Sequence, residues 1–272
     1  MMKGSVNVSH RYKMEEIKFS AIVVTFNEER RLCECLGSLK FCDQILVIDL
    51  GSSDSSVNIA MELGAQVLHI KRMPIVEQIH AKVINHARND WVILLDPDEV
   101  LSVGIKSIIE AHISNTPALG LIKIPSQFYF RGKRLSSTIW GGENQTKPVV
   151  LNRFRSNFPG LVHCGPTLLD GFSSVTLKWD ENSYIKHFWI DSYKQLFEKH
   201  WRYIIKEGEA RYLKGERYSF ASLLNSMKVA LTHNIITCNG YRSITGIFLS
   251  FFYAWYVLMS LLSLKKYQNN RP

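Results

Sequence analysis

At 272 residues the chain is long enough to bury a full core, and 46% hydrophobic with 21% charged residues excludes a disordered or low-complexity polypeptide. The net charge of +9 is unevenly placed: residues 183–272 carry 13 Lys and Arg against 5 Asp and Glu, residues 1–182 carry 20 against 19. Five cysteines, odd in number and without C-x-x-C spacing, argue against a disulfide framework or a zinc cage and suit a reducing cytosol.

Residues 1–17 are polar, lack the apolar stretch of a secretory signal, and are expected to be flexible. Phe19–Thr25 (FSAIVVT) is a β-branched apolar run that predicts a buried strand, and residues 28–39 follow with Leu32, Leu36 and Leu39 at helical spacing. ILVID over residues 45–49 predicts a second strand, ended by Gly51-Ser52-Ser53-Asp54, which can cap a helix over residues 55–63. A third strand is expected over 66–70, a helix over 77–87, and a fourth strand, WVILL, over Trp91–Leu95. Uniformly apolar strands alternating with helices imply an α/β fold whose parallel sheet is covered on both faces. In such sheets ligands sit at the carboxyl ends of the strands. The polar clusters at residues 25–28, 49–54 and 96–99 all fall there.

Beyond residue 124 the pattern changes. Residues 127–135 are aromatic and basic, Gly141-Gly142-Glu143-Asn144 reads as a turn, and 149–154 and 175–179 look like further strands. From Ser192 the sequence is helical, with Tyr193, Leu196, Phe197, Trp201, Ile204 and Ile205 forming an aromatic-rich stripe among basic residues. Residues 244–264 hold no charge and are followed by Lys265-Lys266, long enough to cross about 30 Å of hydrocarbon. Polar residues interrupt this stretch and aromatics crowd its centre, which also suits a helix lying at headgroup depth, or one buried against the domain.

Asp96-Pro97-Asp98 puts two carboxylates on one turn after a buried strand. Mg²⁺ and Mn²⁺ favour such hard oxygen ligands and share their shell with substrate phosphates. In sequence order, VVTFNEE, VIDLGSSDSS and DWVILLDPDE resemble the nucleotide-binding half of family 2 glycosyltransferases, most closely the subgroup similar to lipopolysaccharide-core glucosyltransferases.

That resemblance implies a GT-A (Rossmann-like), mostly parallel sheet with flanking helices. It divides the chain into a nucleotide-sugar half over 18–125, an acceptor half over 126–190 and C-terminal membrane-associating helices over 191–272. Thr25, Asn27 and Glu28 would line the nucleoside pocket, Glu28 accepting from ribose hydroxyls, and Asp49 and Asp54 would hold the uracil or ribose side, with Ser52 and Ser53 on the loop. Asp96 and Asp98 would hold Mg²⁺ or Mn²⁺ and, through it, the diphosphate. Helix capping is the plainer role for Asn27 and Asp54, and exposure at a strand end for Asp49.

Two departures stand out. His80 occupies a helix position where relatives present Arg or Lys to phosphate. His163 stands in Leu161-Val162-His163-Cys164-Gly165-Pro166, where relatives carry a His-Glu or His-Ser step near a proline; it would serve as an acceptor-side or phosphate contact, without the following Glu. Inverting transfer needs a carboxylate base; Glu143 is the first candidate, with Asp170 and Glu99 as alternates.

The expected activity is metal-dependent transfer of a hexose from a UDP-sugar or other nucleotide sugar to a lipopolysaccharide-core or lipid-linked glycan, at the cytoplasmic face of a membrane. A polyprenyl-phosphate acceptor, or a degenerate nucleotide-sugar or membrane-surface binding protein, is the alternative. The apolar run in the basic third argues against nucleic acid as partner.

Overall fold

The computed structural model describes residues 16–270, apart from 74–75, 142–144 and 160–164. The first half is built as the pattern predicts: β1 (Phe19–Thr25), α1 (Glu29–Ser38), β2 (Gln44–Asp49), α2 (Ser56–Glu62), β3 (Gln66–His69), α3 (Val76–Val83) and β4 (Trp91–Leu95). The predicted helix over 77–87 stops at Val83 and tightens into a 3₁₀ turn, Ile84–His86. These strands pair in parallel in the order β3-β2-β1-β4, with Thr25 beside Asp49 and Val23 beside Leu95. All of their carboxyl ends therefore lie along one edge of the sheet.

Period-two alternation sends β1 side chains into two cores. Phe19, Ala21 and Val23 pack with Leu32, Leu36, Ile105 and Ile109 on one face; Ile22 packs with Leu46, Ile48, Ile79 and Val83 on the other. Each fully buried Leu or Ile stabilises the layers by about 1.5–3 kcal/mol.

The second half was less legible from pattern. It adds β5 (Glu99–Leu101), α4 (Ile105–Asn115), the long β6 (Leu119–Phe130), β7 (Lys133–Arg134), β8 (Thr146–Asn152), β9 (Ser156–Asn157), β10 (Thr167–Leu168), β11 (Ser173–Thr176) and β12 (Ile185–Ile190). The strands expected over 149–154 and 175–179 thus start earlier, at Thr146 and Ser173, and end at Asn152 and Thr176. β8 joins β4 and β6 antiparallel; β12 runs parallel to β6 and antiparallel to β5. The path β3-β2-β1-β4-β8-β6-β12-β5 is a mixed α/β sheet whose first four strands are all parallel.

Three helices complete the described chain: α5 (Tyr193–Leu213), α6 (Phe220–Thr232) and α7 (Ile244–Asn269). Ser192, Ser219 and Ser243 each cap a start, accepting the amides of Gln195, Ser222 and Gly246. α5 and α7 approach closely at Gly208, where an added Cβ would stand 2.5 Å from the Ser263 carbonyl oxygen. Trp140 stacks on Trp189 at 4.7 Å and meets Phe252 and His200, tying these helices to β12.

Candidate active site

The loops after β1 and β2 are laced together. Asn27 adopts a left-handed backbone (φ 58°), which lets its Oδ1 accept the Ser53 amide at 2.8 Å while its own amide donates to Ser52 Oγ at 2.9 Å. Asp54 accepts the amides of Glu29 (3.1 Å) and Ser56 (3.0 Å), and so serves the starts of both α1 and α2. Neither Glu28 nor Ser55, which precede these helices, caps through its side chain.

Asp49 is buried, not exposed at a strand end. It accepts the amides of Gly51 and Ser52 and faces His69 Nδ1 at 3.1 Å. Burial opposes its charge, but these donors outweigh it and hold the carboxyl below the usual range. Thr25 is buried beside it, and its Oγ1 has no hydrogen-bond partner.

Glu28 is half-buried, and its carboxyl is pushed up to about 7 by desolvation and then by Asp98. A carboxyl raised above its unfolded value stabilises the fold only while protonated. That contribution is complete below pH 4.5 and is lost as pH rises through about 7. Glu28→Gln, which does not titrate, should therefore melt higher than the parent at pH 8 and equally at pH 4. Allowing for solvent screening, the gain is on the order of 1 kcal/mol, or about 2–4 °C. Differential scanning fluorimetry with EDTA at both pH values checks this, and equal melting at pH 8 counts against it.

The turn after β4 closes on itself: Glu99 Oε2 accepts the Asp96 amide at 3.0 Å, and the Cys35 thiol donates to the Asp96 carbonyl at 3.4 Å. β8 delivers Lys147 into it. Its ammonium lies 2.5 Å from Asp96 Oδ2 and 2.7 Å from Glu99 Oε2. Burial acts against Lys147's charge, yet the two carboxylates hold its pKa above the ordinary range. Asp96 is desolvated too, and Lys147 keeps it below the carboxylate range; Glu99, with no exposed surface, is pushed up by burial.

β12 pairs His187 with Glu99 and completes the cluster. His187 Nε2 is 3.3 Å from Asp98 Oδ2 and its Nδ1 is 3.5 Å from Glu99 Oε1. Desolvation works against the imidazolium, but Asp98 and Glu99 overcome it and raise the ring above the ordinary histidine range.

Asp98 Oδ2 and His187 Nε2 are donor types that a divalent ion takes, and binding one there would have to release the proton that the raised imidazole shares with Asp98. Both side chains keep some exposure, 26% for Asp98 and 16% for His187. Glu99 stands behind Nδ1, the place of the carboxylate that orients a metal-binding histidine. Among the described residues no group of three or more His, Cys, Asp and Glu side chains is placed to hold a metal ion.

His80 lies on α3, close enough for Asp96 and Lys147 to act on its titration. Burial holds it below the ordinary histidine range despite the pull of Asp96. Glu143 and His163 lie outside the described residues. The alternate base Glu99 is buried and engaged with Lys147, and Asp170 is exposed on the turn before β11. Lys147 and His187 escaped the sequence reading. His187 sits in IKHFWI, a strand-like alternation whose register with Glu99 no local pattern reveals.

A family model described as "Glycosyl transferase family 2" matches residues 20–166, more than half of the chain. An uncharacterized glycosyltransferase of Rickettsia typhi is 36% identical over 94 residues, covering 34% of this chain and 32% of the relative. The chain therefore matches about a third of the length of such relatives. Among solved structures, that of S. aureus TarS aligns with a TM-score of 0.48 at 14% identity, over 70% of this chain and 40% of that one. Glucosyl-3-phosphoglycerate synthase from Mycobacterium tuberculosis, in complex with Mn²⁺, UDP and glucosyl-3-phosphoglycerate, aligns with a TM-score of 0.36 at 17% identity, over 42% and 44% of the two chains.

Proposed function

The chain belongs to glycosyl transferase family 2, and on that premise we propose that it transfers a hexose from a UDP-sugar to a lipopolysaccharide-core or lipid-linked glycan. The observation that carries the reading is the convergence of three strand-end loops on one edge, with Asp98 and His187 paired at 3.3 Å beside them.

In this reading Thr25, Asn27, Glu28, Asp49 and the Ser52-Ser53-Asp54 loop receive the nucleoside, and Glu28 accepts from ribose hydroxyls. Bound Mg²⁺ or Mn²⁺ supplies Lewis-acid neutralisation of the departing diphosphate. Asp98 and His187 hold that ion; Asp96 faces the nucleoside side of the turn, and His80 donates to phosphate. The acceptor hydroxyl oxygen attacks the anomeric carbon as the bond to the diphosphate oxygen breaks. Its proton passes to a carboxylate, for which Glu143 is the candidate, and the configuration inverts. His163 contacts the acceptor or phosphate side.

In this reading residues 18–125 form the nucleotide-sugar half, residues 126–190 the acceptor half, and the C-terminal helices over 191–272 lie on a cytoplasmic membrane face. α7 is long and apolar enough to cross a bilayer, with a mean hydropathy of 1.9, but 39% of its apolar window is buried against the rest of the fold. That burial favours a helix lying on the membrane over one passing through it.

The test is a panel of nucleotide sugars scored for thermal stabilisation with and without Mn²⁺, followed by sugar transfer to a membrane extract. A UDP-sugar at 100 times its Kd should stabilise by about 2.7 kcal/mol, and more weakly without the metal. No stabilisation by any nucleotide sugar would sink the reading.

A further inference from the structure

His187 stacks on Phe128 at 4.6 Å, its partner in register, so both rings lie on one face of the β6–β12 pair. Gln127 and Tyr129 alternate with Phe128 and point to the opposite face, where β7 sets Arg134 directly across from Tyr129. The segment between β11 and β12 brings Trp179, Glu181 and Tyr184 to the same place. These six side chains line a cavity of about 330 Å³, at the small end of the roughly 300–1,000 Å³ typical of ligand sites.

Its walls are braced. Gln127 is 1% exposed; its amide donates to the Leu135 carbonyl and its Oε1 accepts from Arg134 Nε, both at 2.7 Å. Held in this way, the Arg134 guanidinium stands 4.8 Å from the centre of the Trp179 ring, and Trp179 leans on Tyr184 at 6.1 Å. Tyr184 is pinned to the end of β5: its amide donates to Ser102 Oγ at 3.1 Å and its carbonyl accepts the Ser102 amide at 3.0 Å. Ser183 Oγ closes the turn onto the Lys178 carbonyl at 2.7 Å. The Trp179 indole nitrogen is buried and has no hydrogen-bond partner among the described residues, an unpaired donor that a ligand oxygen would relieve.

We propose that this cavity is a saccharide-binding subsite, distinct from the donor pocket, in which Trp179 and Tyr184 pack on one neutral pyranose unit of the acceptor glycan while Arg134, Glu181 and Tyr129 bind its hydroxyls. Aromatic faces carry negative charge and so attract the polarised C–H face of a pyranose. Arg134 only donates, ionised Glu181 only accepts and Tyr129 does both, which fits the mixed hydroxyls of a sugar. One cation and one carboxylate line the cavity; that balance suits a neutral polyol over a phosphate or a nucleotide. The acceptor's identity as a glycan rests on the transferase reading, whereas saccharide binding is measurable without turnover.

The experiment is fluorine NMR of the fluorotryptophan-labelled full chain, with the Trp179 signal identified by its loss in Trp179→Phe. The probes are cellohexaose, maltoheptaose and the core oligosaccharide released from lipopolysaccharide by mild acid. At least one should shift the Trp179 signal saturably, and excess UDP should not displace it. Affinities of the variants are read from saturation transfer to the same oligosaccharide. Trp179→Ala and Tyr184→Ala should weaken binding by at least about tenfold, the loss of a large aromatic anchor, and Trp179→Phe by less than about threefold. Glu181→Ala, at an exposed position, should weaken it by about threefold or more; if melting curves show that Trp179→Ala does not fold, this variant decides.

Binding of none of the probes overturns the subsite, as does parental affinity in Trp179→Ala or in Glu181→Ala. Displacement by UDP would put the saccharide in the donor pocket and overturn it equally. Saccharide binding as described, with no stabilisation of the chain by any nucleotide sugar, leaves the subsite standing while the transferase reading falls.

Discussion

Asp98→Asn is expected to lower sugar transfer by at least about 10³-fold while leaving the melting temperature near that of the parent. Losing a single preorganised electrostatic contact to developing negative charge costs about 10²–10³ in rate, and on the proposed reading the lost group would also anchor the ion that neutralises the diphosphate. The fold should tolerate the change. Asp98 contributes to the sheet through its backbone carbonyl, which accepts the Phe188 amide at 2.8 Å, and its side chain is partly exposed. The substitution also has a readout independent of turnover. Asp98 is the largest charged contribution to the raised Glu28 carboxyl, so Glu28 should titrate lower in the variant, measurable by carboxyl NMR. A purified, folded Asp98→Asn that transfers at the parental rate would remove Asp98 from the mechanism.

The second large effect is expected on membrane binding. On α5, Phe197, Trp201 and Ile205 recur every four residues and are 42%, 48% and 65% exposed. On α7, Ile247 and Phe251 do the same, and Trp255 meets Phe197 at 5.2 Å, bringing the two rows together. Lys194, Lys199, Arg202 and Lys206 are interleaved along α5, and Lys265-Lys266 close the apolar part of α7. Large apolar side chains left in water beside basic ones suit the interface of an anionic bilayer.

The parent should float with phosphatidylglycerol-containing vesicles and less with neutral ones. Trp201→Glu/Phe251→Glu removes two side chains worth roughly 1.5–3 kcal/mol each when buried, and should reduce partitioning at least about 100-fold. Both positions are exposed, so melting and donor binding should hold. Flotation of the double variant at the parental level would count against this surface; resistance of the parent to high-salt and carbonate washing would favour a spanning α7 instead.

Legibility from sequence followed the range of the interactions involved. The helix after β1 was visible because Leu32, Leu36 and Leu39 recur at helical spacing, and β4 because WVILL is apolar throughout. β6 was not, since Gly120 and Pro125 interrupt a strand that survives through its pairing with β8 and β12. The sequence placed Asp49 at a strand end, but only the neighbouring His69 and the Ser52 loop make it a buried, multiply bonded carboxylate. Conversely, the capping role open to Asp54 is real, and it serves two helices at once.

What the sequence determined by itself was the parallel half of the sheet and the grouping of residues 25–28, 49–54 and 96–99 along one edge. These follow from local hydrophobic period and from the rule that strands joined by crossing helices end on the same side. What only the tertiary structure decided was the company each carboxylate keeps. Lys147 reaches Asp96 and Glu99 across about fifty residues of chain, and His187 reaches Asp98 and Glu99 across about ninety. Those pairings depend on strand register between β8, β6, β12 and β5, which is fixed by the packing of the whole sheet and leaves no periodic trace in the chain.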